Sequence, residues 1–478
     1  MQLRAEEKLS FGENKMTEMR REIGLFGGIS VLGGIMIGSG IFYIGGIVLA
    51  RCEMSLGLAL LVWLVGGLIT LMSGVCYAEL GAMLPKAGGS YVYLREAYGE
   101  RTAFVSGFSN FILSSSASIA ALAVAFAGAL STVVPMGSIT QKIVAVGTVV
   151  LLSLINIRGI RMGAAVQNVF MVLKLLPIGL IMVAGLFFGT ETPDLLAMPE
   201  TMPSATSLLP VIAFAVVATL WAYEGWHNLN SIAEEIKNPR RNIPLAIMLS
   251  IVGVTFLYVC FNYSIFRVLS PEVISAMVND GNFYLGTAAA ESLFGTYGGM
   301  LVSAAMILAI FNSLNGCVMV FPRVYYAMAR DGAMIRSLGR LHEGFRTPVN
   351  SIIASGLISI LLILSRDLAG LTSLVAVSGI IFNALTFYAV IVLRRRMPQV
   401  ERPYKVWCYP YLIWAVILIM AGLLASTVVE DPVTALMNVV IPAVSLVIYE
   451  IFFRKRAEAL RAERAKNVDA AVEPAPAA

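Results

Sequence analysis

The sequence predicts an all-α, multi-pass membrane protein with twelve transmembrane helices. Three observations predict it. Of the 478 residues, 58% are hydrophobic and only 13% are charged, whereas a soluble domain is roughly one quarter charged. The apolar residues form long continuous runs rather than alternating stretches of about ten residues, which selects helices over a barrel. Lys and Arg are also strongly biased toward every second loop. This composition cannot supply the polar shell of a water-soluble fold. It therefore excludes an ordinary cytosolic enzyme, a disordered chain and a nucleic-acid binder.

A helix needs about 20 apolar residues to cross the hydrocarbon layer. Twelve stretches meet this requirement, at 24–50, 55–84, 102–130, 139–157, 163–189, 207–232, 243–267, 297–322, 348–365, 371–393, 409–428 and 433–453. The segments on the N-terminal side of the membrane hold 29 of the 34 Lys and Arg residues. The opposite side holds four (Arg51, Lys142, Arg267 and Arg366), and Lys174 lies inside a span. Basic residues stay in the cytoplasm, so both termini are expected there and the chain is placed in the cell (inner or plasma) membrane.

The expected organisation follows. Residues 1–23 form a cytoplasmic N-terminal segment, which mixes both charge signs and lacks the short apolar run of a cleavable signal. Residues 24–189 carry spans 1–5, 207–393 carry spans 6–10, and 409–453 carry spans 11 and 12. The cytoplasmic tail, 454–478, begins as a charged helix and ends in AAVEPAPAA, which reads as disordered.

An odd number of spans per half makes the two five-span halves antiparallel, a five-plus-five inverted repeat. Each half opens with a discontinuous helix. Span 1 is interrupted at Gly38-Ser39-Gly40 and span 6 at WAYEGW, residues 221–226. Broken helices at matching positions of inverted halves point to the binding site of a transporter.

A mid-membrane break leaves backbone groups without partners, at a cost of several kcal/mol each unless protein, water or ligand meets them. The N–H groups of Ser39, Gly40 and Ile41 suit a carboxylate. The carbonyls near Met36 and Ile37 suit an ammonium, as do those of Trp221, Ala222 and Glu224. One site can therefore hold both ends of a zwitterion. Trp221, beside the second break, has the size of a gate. Glu224 is a carboxylate near mid-membrane, where such groups are rare and functional. It is suited to holding an ammonium, to binding a cationic side chain or to carrying a proton.

Lys174 is the only basic residue deep within a span. A desolvated ammonium needs acceptors for its three protons. The carbonyls at the span 1 break and Ser313 or Asn315 of FNSLNGC are the expected ones. There it would act as a tethered cation. Asn383 in span 10 and Ser114, Ser115 and Ser116 in span 3 are further polar candidates, and helix glue is their alternative role. Glu79 near the cytoplasmic end of span 2 is expected to pair with a loop Lys or Arg and to help close an inner gate.

The five cysteines (Cys52, Cys76, Cys260, Cys317 and Cys408) form no CxxC, and His227 and His342 are the only histidines. No metal site, cofactor or disulfide framework is indicated. No HExxH motif, nucleophile elbow or paired intramembrane carboxylates support an enzyme, and nothing resembles a carbonyl filter of a channel.

Several stretches resemble the amino acid–polyamine–organocation (APC) superfamily, within it the L-type amino acid transporters and their bacterial serine/threonine exchanger relatives. They are IGSGIF (37–42), GLALLVWLVGG (57–67), CYAELGAMLPKAGGSYVYLREAYG (76–99), VQNVFMVLKLLP (166–177), LWAYEGWHNLNSIAEEIKNPRRNIPLAI (220–247), FNSLNGCVMVFPRVYYAMARDG (311–332) and RRRMPQVERPYKV (394–406). The resemblance runs in order over about 430 residues. It implies the five-plus-five repeat with two extra helices, and sodium-independent exchange of neutral L-amino acids by alternating access.

It further implies that a substrate carboxylate meets Ser39 and Gly40, and an ammonium the Met36, Trp221 and Glu224 main-chain oxygens. It puts Trp221 at an aromatic gate and Lys174 at the lysine that replaces a sodium ion. Two departures stand out. The loop STVVPMGSIT (131–140) lacks the cysteine by which animal members bond a single-span glycoprotein, which implies a partner-free bacterial transporter. Residue 224 is often glycine, alanine or aspartate in the family, so glutamate here leaves open proton-coupled uptake of a cationic amino acid or amine.

Overall fold

The computed structural model describes residues 19–197, 205–368, 371, 379–430 and 432–472. The N-terminal segment up to residue 18, residues 372–378 of the expected tenth span and the last six residues of the tail lie outside this description. Among the described residues the architecture is all-helical. The one β-type contact is an isolated parallel bridge between Ile23 and Ile236.

The first expected span is α1 (Leu25–Met36), a 3-10 turn (Ser39–Phe42) and α2 (Ile44–Arg51). Span 2 is α3 (Leu56–Met83). Two short helices, α4 (Ser90–Tyr98) and α5 (Glu100–Ser109), lead through a π turn at Asn110–Ser115 into α6 (Ser116–Ser131). Then come α7 (Ser138–Ile157) and α8 (Ile160–Phe188).

The second half opens with α9 (Ala205–Ala222), a 3-10 helix at Asn228–Glu235, and α10 (Pro239–Val268). The expected loop between spans 7 and 8 is itself helical, as α11 (Pro271–Asn279) and α12 (Leu285–Phe294). The chain continues through α13 (Thr296–Val320), α14 (Pro322–Arg330), α15 (Val349–Ser365), α16 (Gly379–Arg396), α17 (Tyr411–Glu430), α18 (Pro432–Ile448) and α19 (Arg454–Val472). The last is the charged helical start of the tail.

Among the described residues, five helices are long and apolar enough to cross a bilayer: α3, α7, α8, α10 and the continuous α13–α14 rod. Five further apolar helices among them are shorter, α1 because its rod is broken at Ile37. Leu61, Leu64 and Leu68 on α3 and Val172, Leu176 and Leu180 on α8 are exposed at helical spacing. In water such stripes would drive aggregation; here they make the surface that a bilayer covers.

The centre of the molecule is α1, packed against α8, α10 and α13, while α10 also runs along α3. The approach is close because α1 carries four glycines. At Gly34 a Cβ would collide with Gln167 Nε2 and Asn312 Oδ1, so only glycine lets the α8–α13 polar contact pass. The entry to α1 is tied to the chain leaving the second break. The N–H groups of Glu22 and Ile23 donate to the Glu235 carbonyl, each at 3.0 Å, and Lys237 N–H donates to the Ile23 carbonyl at 2.8 Å.

Candidate functional site

Both expected breaks are present. Helix α1 ends at Met36. Ile37 (φ −82°, ψ 83°) and Gly38 (φ −99°, ψ −158°) are non-helical. The second half-helix was expected to start at Ser39, but a 3-10 turn occupies Ser39–Phe42, and Tyr43 (φ −128°, ψ −26°) makes a second bend before α2. With Gly38 as the N-cap, bonding from i+3 to i uses the Ile41 N–H on the Gly38 carbonyl and leaves the N–H groups of Ser39 and Gly40 without acceptors inside that turn.

Helix α9 stops at Ala222, and residues 223–227 form turns. Gly225 has φ +104°, a backbone conformation that glycine adopts at no steric cost. The regular structure resumes as a 3-10 helix at Asn228 rather than as an α-helix through 232. Asn228, Asn230 and Ser231 fall in that stretch, and side chains of these types compete with helical backbone bonding.

The two breaks converge on one side chain. The Tyr258 hydroxyl of α10 lies 2.9 Å from the Met36 carbonyl and 2.9 Å from the Ala222 carbonyl. Its single proton serves one of them at a time. Tyr258 is fully buried, with its ring against Trp63 at 4.9 Å and Tyr223 at 5.2 Å. Its sequence neighbours are apolar, and nothing in the residue pattern marks it as a bridge.

Lys174 is fully buried, and its ammonium donates to the carbonyls of Ile37 (2.6 Å), Gly34 (2.8 Å) and Gly33 (3.2 Å). The break deprives the Gly34 carbonyl of its helical partner, because the Gly38 N–H turns to Met36, while the Gly33 carbonyl also accepts the Ile37 N–H at 3.0 Å. Ser313 was expected to accept from Lys174. Instead its hydroxyl is a donor beside it, 2.9 Å from the same Gly34 carbonyl and 3.1 Å from that of Ala309. Asn315 also lies elsewhere. It donates to Gln167 Oε1 at 2.7 Å and accepts from Asn156 at 3.1 Å, while Gln167 donates to Asn312 Oδ1 at 2.6 Å. This buried amide chain joins α7, α8 and α13 behind α1. Four mid-span amides were its only signal in the sequence.

Trp221 is 48% exposed at the end of α9. It lies near the Tyr43 hydroxyl at the second bend of the first span, and Tyr43 packs on Tyr284 at 5.7 Å. Met36, Ile37, Ile41 and Ala222 are buried, and Ser39 and Gly40 half-buried.

The Glu224 side chain is 56% exposed, with His227 Nδ1 3.9 Å away. It lies in the turn after Ala222 and is accessible rather than enclosed. Asn383 reaches the same region through Tyr77, whose hydroxyl donates to Asn383 Oδ1 at 2.7 Å while its ring packs on His227 at 5.4 Å. In span 3 the Ser116 carbonyl accepts from Ser359 of α15 at 3.1 Å, and Ser118 donates back to the Ser114 carbonyl of its own helical run at 2.6 Å.

Glu79, 1% exposed, is the acceptor of a charged cluster. Arg394 donates to both of its oxygens, at 2.8 and 2.6 Å, the Val406 N–H donates at 2.6 Å, and Arg402 stands 3.6 Å off. A second buried pair joins Arg323 to Glu235 at 3.0 and 3.1 Å. Burial pushes the Glu235 carboxyl above its ordinary range, and the guanidinium pulls it back. The five cysteines are unpaired, and no three His, Cys, Asp or Glu side chains cluster among the described residues.

A sequence model of the family described as amino acid permease matches residues 23–449. The serine/threonine exchanger SteT of Bacillus subtilis is 34% identical over 436 residues, covering 90% of this chain and 96% of its own length. The human b(0,+)-type amino acid transporter 1 is 31% identical, covering 84% and 82%. The mouse large neutral amino acids transporter small subunit 2 is 30% identical, covering 90% and 82%. The family match takes in both broken helices, Lys174 and the Glu79 cluster, and the chain belongs to the amino acid permease family.

Proposed function

We propose that the chain is a secondary active amino acid exchanger with twelve transmembrane spans in a five-plus-five inverted repeat. In this reading both termini are cytoplasmic and the protein sits in the cell membrane. The zwitterion lies between the breaks. Its carboxylate takes the N–H groups of Ser39, Gly40 and Ile41, and its ammonium takes carbonyls of Met36, Ile37, Trp221, Ala222 and Glu224. Trp221 closes the site against Tyr43.

The observation that carries this reading is the Lys174 ammonium on three carbonyls of α1. A fixed cation already holds the end of the broken helix, so no sodium ion is needed there, and sodium-independent exchange of neutral L-amino acids follows. Proton coupling through Glu224 has less support, because that carboxylate is more exposed than buried and has no cation in hydrogen-bonding contact. The exchanger among the relatives, SteT, supports the exchange mode. No disulfide-linked partner is proposed, since the 131–140 loop has no cysteine.

Proteoliposomes loaded with serine, threonine, alanine or leucine test this. Radiolabelled substrate should enter in the presence of internal amino acid and not in empty vesicles, equally in sodium and choline. Absence of entry against every internal amino acid, with or without a pH gradient, rejects the reading.

A further inference from the structure

A concavity away from the helix breaks has a volume of about 200 Å³. It lies between the lead into α1, the turn joining α7 to α8, and the loop before α15. Four guanidinium-bearing residues line it, Arg20, Arg158, Arg161 and Arg346, with the Glu22 carboxylate and the Phe345 ring. Like charges gathered in one concavity repel, and Glu22 is the one acidic residue among those lining it. Among the described residues Arg20, Arg158 and Arg161 form no ion pair.

Ordinary helix electrostatics accounts for Arg158, which caps the C-terminal end of α7. It does not account for Arg161. That residue lies in the first turn of α8, where a cation opposes the helix dipole. No side chain caps the start of α8, and its first residues, Ile160 and Arg161, whose N–H groups have no partner inside the helix, line the concavity. Arg20 comes from a separate part of the chain, two residues before the Glu22–Ile23 strap that holds Glu235 and Lys237.

We infer that this concavity binds a phosphate-bearing anion, supplied by a phospholipid headgroup or by free phosphate. Guanidinium forks match phosphate oxygens in bidentate fashion. An anion held by Arg20 and Arg161 together joins the lead of α1 to the start of α8. Leu154 and Met162, both exposed on the flanking helices, give acyl chains an apolar surface beside the headgroup.

The test uses the purified full-length protein and reads no transport, so it stands apart from the exchange reading. Native mass spectrometry compares retention of phosphatidylglycerol with phosphatidylcholine. A thermal-shift series compares inorganic phosphate with chloride at matched ionic strength. Wild type should retain phosphatidylglycerol, and Arg158→Gln/Arg161→Gln should weaken retention about 30-fold, near what two interfacial cations contribute. Arg158→Lys/Arg161→Lys should keep most of it, and Arg241→Gln/Arg340→Gln, with the same net charge change elsewhere, should keep all of it. Arg20→Gln supplies an independent reading should the double variant fold poorly. Stabilisation by phosphate that is lost in the variant, without selective lipid retention, assigns the site to the free ion. Equal behaviour of the pocket variants and the control, in both measurements, overturns the proposal.

Discussion

The carbonyls of Met36 and Ala222, which end two different helices 186 positions apart in the chain, meet at a single Tyr258 hydroxyl 2.9 Å from each. Both are expected ammonium acceptors. The hydroxyl proton can satisfy one carbonyl while an ammonium takes the other, so substrate entry need only redistribute this contact. Tyr258→Phe keeps the ring packing on Trp63 and Tyr223 and removes the donor. A buried acceptor left alone costs about 1–3 kcal/mol. Exchange should fall roughly tenfold with only a small drop in melting temperature, since one neutral hydrogen bond nets about 1 kcal/mol. Wild-type exchange rates in Tyr258→Phe proteoliposomes would remove the hydroxyl from the mechanism.

Lys174 carries a larger share. Replacing it with Met keeps a long apolar stem and withdraws three charge-assisted donors from Gly33, Gly34 and Ile37. Exchange should drop to the level of empty vesicles, and the melting temperature should fall by several degrees. Arg at 174 should not rescue it, because a planar fork cannot spread its donors as an ammonium does around three converging carbonyls. Rescue by Arg would mean that charge alone suffices.

Why some of this was legible in the sequence and some was not follows from the physics of each signal. A glycine pair inside an apolar run, or a lone lysine within one, has a large penalty in lipid and therefore stands out in one dimension. Lys174 and the Gly38 break were found that way, and the acceptors at the break were anticipated from carbonyl chemistry. The Tyr258 bridge was not legible, because a tyrosine in a helix is ordinary and its meaning lies in two carbonyls brought from elsewhere. The role of Ser313 was misread for a related reason: hydroxyls both donate and accept, and only the position of the Gly34 carbonyl decides which. Glu224 was placed by its distance along a span, whereas the turn at Gly225 sets its direction.

That direction supports a prediction opposite to a proton-carrying role. Glu224→Gln preserves shape and removes charge from a side chain whose nearest basic neighbour is His227 at 3.9 Å. Neutral amino acid exchange should stay within about threefold of wild type, since partly exposed pairs contribute only about 0–1 kcal/mol, and its pH profile should not change. A loss beyond tenfold, or a shifted pH profile, would restore a coupling role for this carboxylate.

Glu79 gathers Arg394, Arg402 and the Val406 N–H onto one buried carboxylate. It thereby ties α3 to the end of α16 and the chain beyond it. Removing one member of a buried ion pair costs roughly 3–5 kcal/mol, whereas replacing both members with apolar groups is often neutral; the partial exposure of Arg394 lowers the figure here. Glu79→Gln should therefore lower the melting temperature markedly, and Glu79→Leu/Arg394→Leu should recover much of it. If the cluster only supports the fold, exchange should recover in the double variant alongside stability. If it closes the inner gate, exchange should stay impaired in the stable double variant, because the ends of α3 and α16 then have no charged contact to make and break in each cycle. Thermal melts and exchange rates measured on the same preparations separate the two, and the second outcome is the one expected from a charge cluster that joins helix ends rather than helix middles.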